Sequence, residues 1–213
     1  MESDAKVKEQ IARTMRRLVA MGLTSPSGGN ISVRVNHVMW ITAGSIDKGE
    51  LTPDSIFPVE IKPDNPELRH GVSMETGLHH EIYKHNKGIR AIVHAHPPLT
   101  TAFIVSGKPL PTDITGEAWA VLGKPARVSY ARMGSYDLAF KTAEAAQSAN
   151  VLLLEHHGVV TTGKTLFEAF DRLVLTEHVA RTVLAANSLG GFNTLSQKQK
   201  DEIDDFLRSR SGT

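Results

Sequence analysis

The stretch Ala91-Ile92-Val93-His94-Ala95-His96-Pro97-Pro98 organises the reading of the whole chain. Its β-branched apolar start reads as a buried strand, and alternate side chains on a strand share a face, so His94 and His96 point the same way. A His-x-His pair alone is more often a surface or packed pair than a metal site, so the context decides. A second apolar run, Val151-Leu152-Leu153-Leu154, leads into Glu155-His156-His157-Gly158, and Glu75 opens a helical segment upstream of the first strand. Three neutral imidazoles with a carboxylate nearby have the ligand chemistry of a catalytic zinc site, with one position open for substrate.

Upstream, Val7, Ile11, Met15 and Leu18 recur at spacings of four and three, which predicts a helix from Asp4 to Met21 ending at Gly22. The loop Thr24-Ser25-Pro26-Ser27-Gly28-Gly29-Asn30 is rich in residues that allow tight turns and leave amides free to face an anion. It is followed by an alternating strand, Ile31 to Val35, a turn at Asn36-His37, and a partner strand, Val38 to Thr42. Ala43-Gly44-Ser45 makes a second small-residue bend, and two bends at neighbouring strand ends are suited to cradling a phosphate. Ile56 to Ile61 reads as a strand whose Pro58 confines it to an edge, and Lys62 to Glu67 as a surface loop. Ser73 is placed to cap a helix from Met74 to Asn86. Glu75 then falls in its first turn, where a carboxylate also simply complements the helix dipole.

Downstream, Pro98 to Ser106 reads as a short helix, Thr115 to Leu122 is ambiguous, Ala126 to Tyr130 is a strand and Ser135 to Ser148 an alanine-rich helix. Thr161-Thr162-Gly163-Lys164 is read as a turn into a long helix whose apolar face uses Phe167, Phe170, Leu173, Val174 and Val179. A last, strongly charged helix starts at Ser196 and is expected to be the most mobile element of a single domain spanning residues 1–213.

Composition bounds the function. With 24 Lys and Arg against 23 Asp and Glu, scattered without a basic run, nucleic acid is not an expected partner. The absence of cysteine leaves only histidine and oxygen ligands for a metal. No apolar run approaches the ~20 residues that span a bilayer, and Met1 to Lys6 lacks a signal-peptide core, so no membrane association and a cytoplasmic location are expected.

The order Ser-Gly-Gly-Asn-Ile-Ser at 27–32, Ile-Thr-Ala-Gly-Ser at 41–45, Ser-Met-Glu at 73–75 with His79 and Tyr83, His-Ala-His at 94–96 and Glu-His-His-Gly at 155–158 resembles the class II aldolase/adducin family. The resemblance implies a three-layer α/β/α fold around a largely antiparallel sheet, assembled as a homotetramer with active sites between subunits. It makes His94, His96 and His157 the ligands of Zn²⁺, with Mn²⁺ or Co²⁺ as alternatives, and Glu75 the catalytic acid/base. It places Gly29, Asn30, Gly44, Ser45, Ser73 and Met74 at the phosphate of a ketose 1-phosphate of the L-fuculose 1-phosphate kind. Three departures stand out: Gly44-Ser45, where Ser-Gly or Thr-Gly is usual; Met74, where a serine is usual and whose thioether cannot donate a hydrogen bond; and the lack of a tyrosine in 112–122, where Glu117 is the nearest titratable group. Glu75 itself argues against the pentulose-phosphate epimerases, which carry aspartate there. Epimerase, dehydratase and keto-acid decarboxylase chemistry on the same metal remain alternatives, as does an adducin-like scaffold without catalysis.

Overall fold

A computed structural model describes residues 3–62 and 71–211. The N-terminal helix α1 (Asp4–Ala20) buries the four residues of its predicted stripe, Val7, Ile11, Met15 and Leu18. The hairpin of β1 (Asn30–Val35) and β2 (Val38–Thr42) forms across the expected two-residue turn, with Asn36 at φ 56°, a conformation asparagine tolerates. Strand β3 (Ile56–Glu60) adds outside β2 and is the sheet edge, where the missing amide of Pro58 costs no ladder bond. Of the loop expected from Lys62 to Glu67, residues 63–67 lie outside the described residues.

Helix α2 (Thr76–His85) leads to β4 (Ala91–Ala95), and α3 (Pro98–Val105), α4 (Gly116–Leu122) and β5 (Ala126–Val128) follow. The ambiguous segment is therefore helical, capped by Thr115, whose hydroxyl accepts from the Ala118 amide. After α5 (Tyr136–Ala145) comes β6 (Val151–Leu154), then β7 (Gly158–Gly163), α6 (Leu166–Ser188) and α7 (Gln197–Ser211). Strand β7 contradicts the turn read at 161–164. Its two glycines and two threonines disguise a fully buried strand, in which the Thr161 hydroxyl donates to Ala169 O at 2.6 Å and that of Thr162 to Asn150 Oδ1 at 3.1 Å. With their hydroxyls satisfied inside the fold, these threonines are buried at little cost.

The seven strands lie in the order β3-β2-β1-β4-β7-β6-β5, antiparallel except for the parallel pair β5 and β6. Period-two alternation then divides the core. Ala91, Val93, Ala95, Val151 and Leu153 face α1, α3, α4 and α6, whereas Ile92, Leu152 and Leu154 face α2 and α5. The result is the expected α/β/α arrangement. Phe167 departs from the predicted apolar face of α6, being 71% exposed at the first turn, while Phe170, Leu173 and Val179 are buried. Helix α7 docks on α4 through Trp119 Nε1, which donates to Asp204 Oδ1 at 3.0 Å, and on the segment ahead of α4 through Lys200 with Asp113 at 3.6 Å. No helix among the described residues is long and apolar enough to cross a membrane.

Candidate metal centre

His94 lies on the central strand β4, opposite Asn30 of β1 on one side and Val160 of β7 on the other. His96 follows two residues later on the same face, and the turn between β6 and β7 carries His157 back to them. Two glycines make the approach possible. A Cβ on Gly158 would stand 2.6 Å from both Ala95 O and His96 Cδ2, and one on Gly29, at φ +68°, 2.7 Å from His94 O. His156, at φ 54°, takes the left-handed turn and points its ring toward Tyr130, 6.2 Å between centroids, so it is a neighbour of the cluster and not a member.

One ligand atom from each of His94, His96 and His157 lies within 4.8 Å of the others. The ring centroids are 4.7 to 5.5 Å apart. Outer contacts fix two of the rings. His94 Nδ1 is 3.0 Å from Val159 O and donates to it, which leaves Nε2 as the lone-pair atom, and His96 Nδ1 is 3.2 Å from Thr24 Oγ1. Burial holds all three rings below the ordinary imidazole range, His157 at about 4 and His94 well below, with neighbouring imidazoles adding to the effect. Three neutral imidazoles packed this closely suit a cation, and the buried His157 Nδ1 without a partner is the kind of atom a ligand completes.

Glu75 reaches this end of the sheet through α2. One turn further along that helix, His79 Nε2 donates to Asn30 Oδ1 at 2.6 Å, and after another turn the Tyr83 hydroxyl meets Ser32 Oγ at 2.9 Å. The helix thus runs along β1, and stepping back a turn from His79 carries Glu75 past Asn30, toward the imidazoles. Its side chain is buried. Oε1 accepts from the Gly134 amide at 2.9 Å, Oε2 has no partner, and burial raises the carboxyl pKa against the lowering effect of that amide. The residue is the N-cap of α2 and not part of its first turn. Ser73 is displaced from the expected cap, because its hydroxyl accepts from the Glu75 amide at 3.3 Å in a turn ahead of the helix.

The two small-residue bends meet on Lys48, a residue the sequence reading passed over. Its backbone amide donates to Pro26 O at 2.7 Å in the first bend, and its ammonium donates to Ala43 O in the second. The side chain is 1% exposed, and burial lowers its pKa to about 8. A Cβ on Gly28 would be 3.0 Å from His96 Nδ1 and one on Gly44 3.3 Å from Ser73 Cα, so the first bend abuts the imidazoles and the second the segment leading to Glu75. Gly29, Asn30, Gly44, Ser45 and Ser73 thus gather along one rim. Not every donor is open: the Gly44 amide is spent on Gly71 O at 2.9 Å, and Met74 is 64% exposed against Gly134.

His79 and Tyr83, which follow Glu75 in the motif order, sit inside the fold and not at its surface. Both are fully buried in a closed internal chain, with His79 Nδ1 2.7 Å from Ser32 Oγ. Glu117 is exposed on α4, in the layer opposite the one that the imidazoles face. Tyr130, beside His156, lies outside residues 112–122, the segment where the resemblance implies a tyrosine.

The family model described as the Class II Aldolase and Adducin N-terminal domain matches residues 9–184, and the chain belongs to this family. It is similar to the L-fuculose phosphate aldolase of Methanococcus maripaludis, 32% identical over 76% of this chain and 88% of the relative. It is also similar to a 5-methylthioribulose-1-phosphate/5-deoxyribulose-1-phosphate aldolase of Rhodospirillum rubrum, 30% identical over 78% of this chain and 74% of the relative. A solved structure of L-fuculose 1-phosphate aldolase superposes with a TM-score of 0.86 at 28% identity, covering 98% of each chain.

Proposed function

We propose that the protein is a zinc-dependent aldolase that cleaves a ketose 1-phosphate into dihydroxyacetone phosphate and an aldehyde. The observation that carries this reading is the convergence of His94, His96 and His157 at the end of the sheet toward which α2 brings the half-satisfied Glu75 carboxyl. Family membership and the relatives named as ketose 1-phosphate aldolases support it. A divalent ion held by the three imidazoles supplies positive charge opposite the oxygens on which negative charge develops during cleavage.

The chain's own residues do the rest. Thr24 and the Val159 carbonyl orient two of the imidazoles. The Gly134 amide orients Glu75, whose raised basicity suits proton exchange at the carbon that loses its bond to the aldehyde half. Gly29, Asn30, Ser45 and Ser73 border the anionic end of the substrate, and the buried Lys48 ammonium adds positive charge behind it. To Tyr130 at the rim we assign the proton that the hydroxyl beside the breaking carbon–carbon bond gives up as it becomes the aldehyde carbonyl.

A homotetramer fits the exposed cluster of Tyr130, Met133, Tyr136 and Phe140 beside the centre. Light scattering that returned a monomer would remove that part of the reading. The donor-free Met74 favours a second reading, in which the substrate carries no phosphate and is a keto acid.

The test is to assay zinc-loaded protein on L-fuculose 1-phosphate, 5-methylthioribulose 1-phosphate, 5-deoxyribulose 1-phosphate, ribulose 5-phosphate and an unphosphorylated keto acid. Formation of dihydroxyacetone phosphate supports the main reading. Epimerisation of ribulose 5-phosphate, or turnover of the keto acid alone, would overturn it, and inertness of fully metallated protein would favour a scaffold.

A further inference from the structure

At the far end of the sheet from the imidazoles, α1, the C-terminal half of β1 and the start of α6 enclose a cavity of about 670 Å³. Its charged lining is entirely basic: Arg13, Arg17, Arg34, Arg90 and Lys164, with no carboxylate. Burial, and to a lesser degree the neighbouring Arg90, disfavours the charge of Arg34. The Arg34 guanidinium is held in place by Tyr83 O at 2.7 Å and Lys87 O at 2.6 Å, both neutral acceptors. Glu168, the nearest acid on α6, is occupied by the Lys164 amide at 2.9 Å and by Arg172 at 3.8 Å. Among the described residues none of the five cations has a carboxylate partner.

Gathering like charges around a concave space is unfavourable unless an anion shares it. The five come from four separate segments, two on α1 and the others on β1, before β4 and after β7, so the sequence shows no basic run although the fold assembles a basic site. An aromatic wall accompanies them. Phe167 is 71% exposed at the rim, and Phe170 carries the Arg17 guanidinium on its face at 4.3 Å.

We propose that this cavity binds a phosphorylated small molecule with a planar body, of the nucleoside polyphosphate class, at a site separate from the metal centre. The phosphates sit among Arg13, Arg17, Arg90 and Lys164, and the ring lies against Phe167. Concavity favours a small ligand over a nucleic acid strand, which needs a continuous track of cations. Arg90 precedes His94 by four residues of extended chain, roughly 13 Å, so one ligand does not occupy both sites.

The experiment is calorimetric titration of the whole metal-loaded protein with ATP and with pyrophosphate at low and physiological salt. One site per chain is expected, weaker at the higher salt. The double variant Arg13→Glu/Arg17→Glu, and independently Lys164→Glu, should weaken both ligands at least about tenfold, since each removes a charge-assisted contact. All three positions are exposed, and matched unfolding midpoints will show that the fold is kept. Phe167→Ala should weaken ATP several-fold and leave pyrophosphate unchanged. Ser73→Ala, at the other end of the sheet, should alter neither. No saturable binding at millimolar ATP in low salt, or unchanged affinity in both charge variants, would overturn the proposal. So would binding that Ser73→Ala abolishes and the charge variants retain.

Discussion

Two polar regions adjoin along β1, and they differ in how completely their hydrogen bonds are made. In the chain Asn30–His79–Ser32–Tyr83, both nitrogens of His79 are engaged, and the Tyr83 hydroxyl reaches Ser32 Oγ and Ser32 O at 2.9 and 3.1 Å. At the imidazole centre one atom of Glu75 and one of His157 are buried without partners, two of the four such atoms among the described residues. A buried polar atom left unpaired costs about 1 to 3 kcal/mol, so a fold keeps one where something else completes it. The closed chain holds α2 on the sheet, and the open centre is where a ligand has work to do.

The contrast makes opposite predictions for the two regions. The largest effect is expected from Glu75→Gln, which keeps shape and removes the proton acceptor. Turnover should fall by about 10² to 10⁴ while metal content and unfolding midpoint hold, as steady-state rates, zinc per chain and calorimetry will show. Near-normal turnover by the metal-replete variant would reduce Glu75 to a helix-end carboxylate. Next, Thr24→Val removes the partner of His96 Nδ1 and should lower metal affinity about 10- to 100-fold with little change in stability, measured by competition with a chelator.

On the closed side the signs reverse. Ser32→Ala strands His79 Nδ1 and should cost about 1 to 3 kcal/mol in denaturant unfolding, with metal affinity retained. If it instead emptied the metal site and left stability intact, the distinction between the two regions would collapse. The smallest effect is in pH. Burial holds His79 neutral down to about 3, whereas the unfolded chain takes up that proton near 6.5, so the unfolded state binds more protons between those values. The contribution of His79 to the stability of the metal-free protein should therefore be complete above 6.5 and be lost below it, at up to about 1.4 kcal/mol per pH unit. A flatter acid limb in His79→Gln would confirm the source.

Much of this is legible in the sequence. The stripe of α1, the Asn36-His37 hairpin and the edge position of Pro58 followed from local rules that tertiary contacts did not override. His94 and His96 announced a shared face because strand period is fixed by geometry, and the residues around His157 and Glu75 supplied the rest of the motif order. What stayed hidden depends on long-range contact. Thr161 and Thr162 read as turn residues because their hydroxyl partners, Ala169 O and Asn150, lie elsewhere in the chain. Lys48 gave no signal because its role is to tie together two bends at Pro26 and Ala43 that local sequence does not connect, and Phe167 fell outside the buried stripe because it stands exposed in the first turn of α6.

The register of the central strands has a consequence for how this protein could diverge. His94 faces Asn30 across one strand boundary and Val160 across the other. A slip of one residue would bring Val93 into that place and turn both histidines into the layer of α1 and α6. A slip of two would keep the face but carry His94 away from His157. No graded series of small displacements connects this centre to a different one, so inherited change in the strands is all or nothing. Room for change lies instead in side chains that hang off the frame, such as Met74, which is 64% exposed and takes no part in strand pairing.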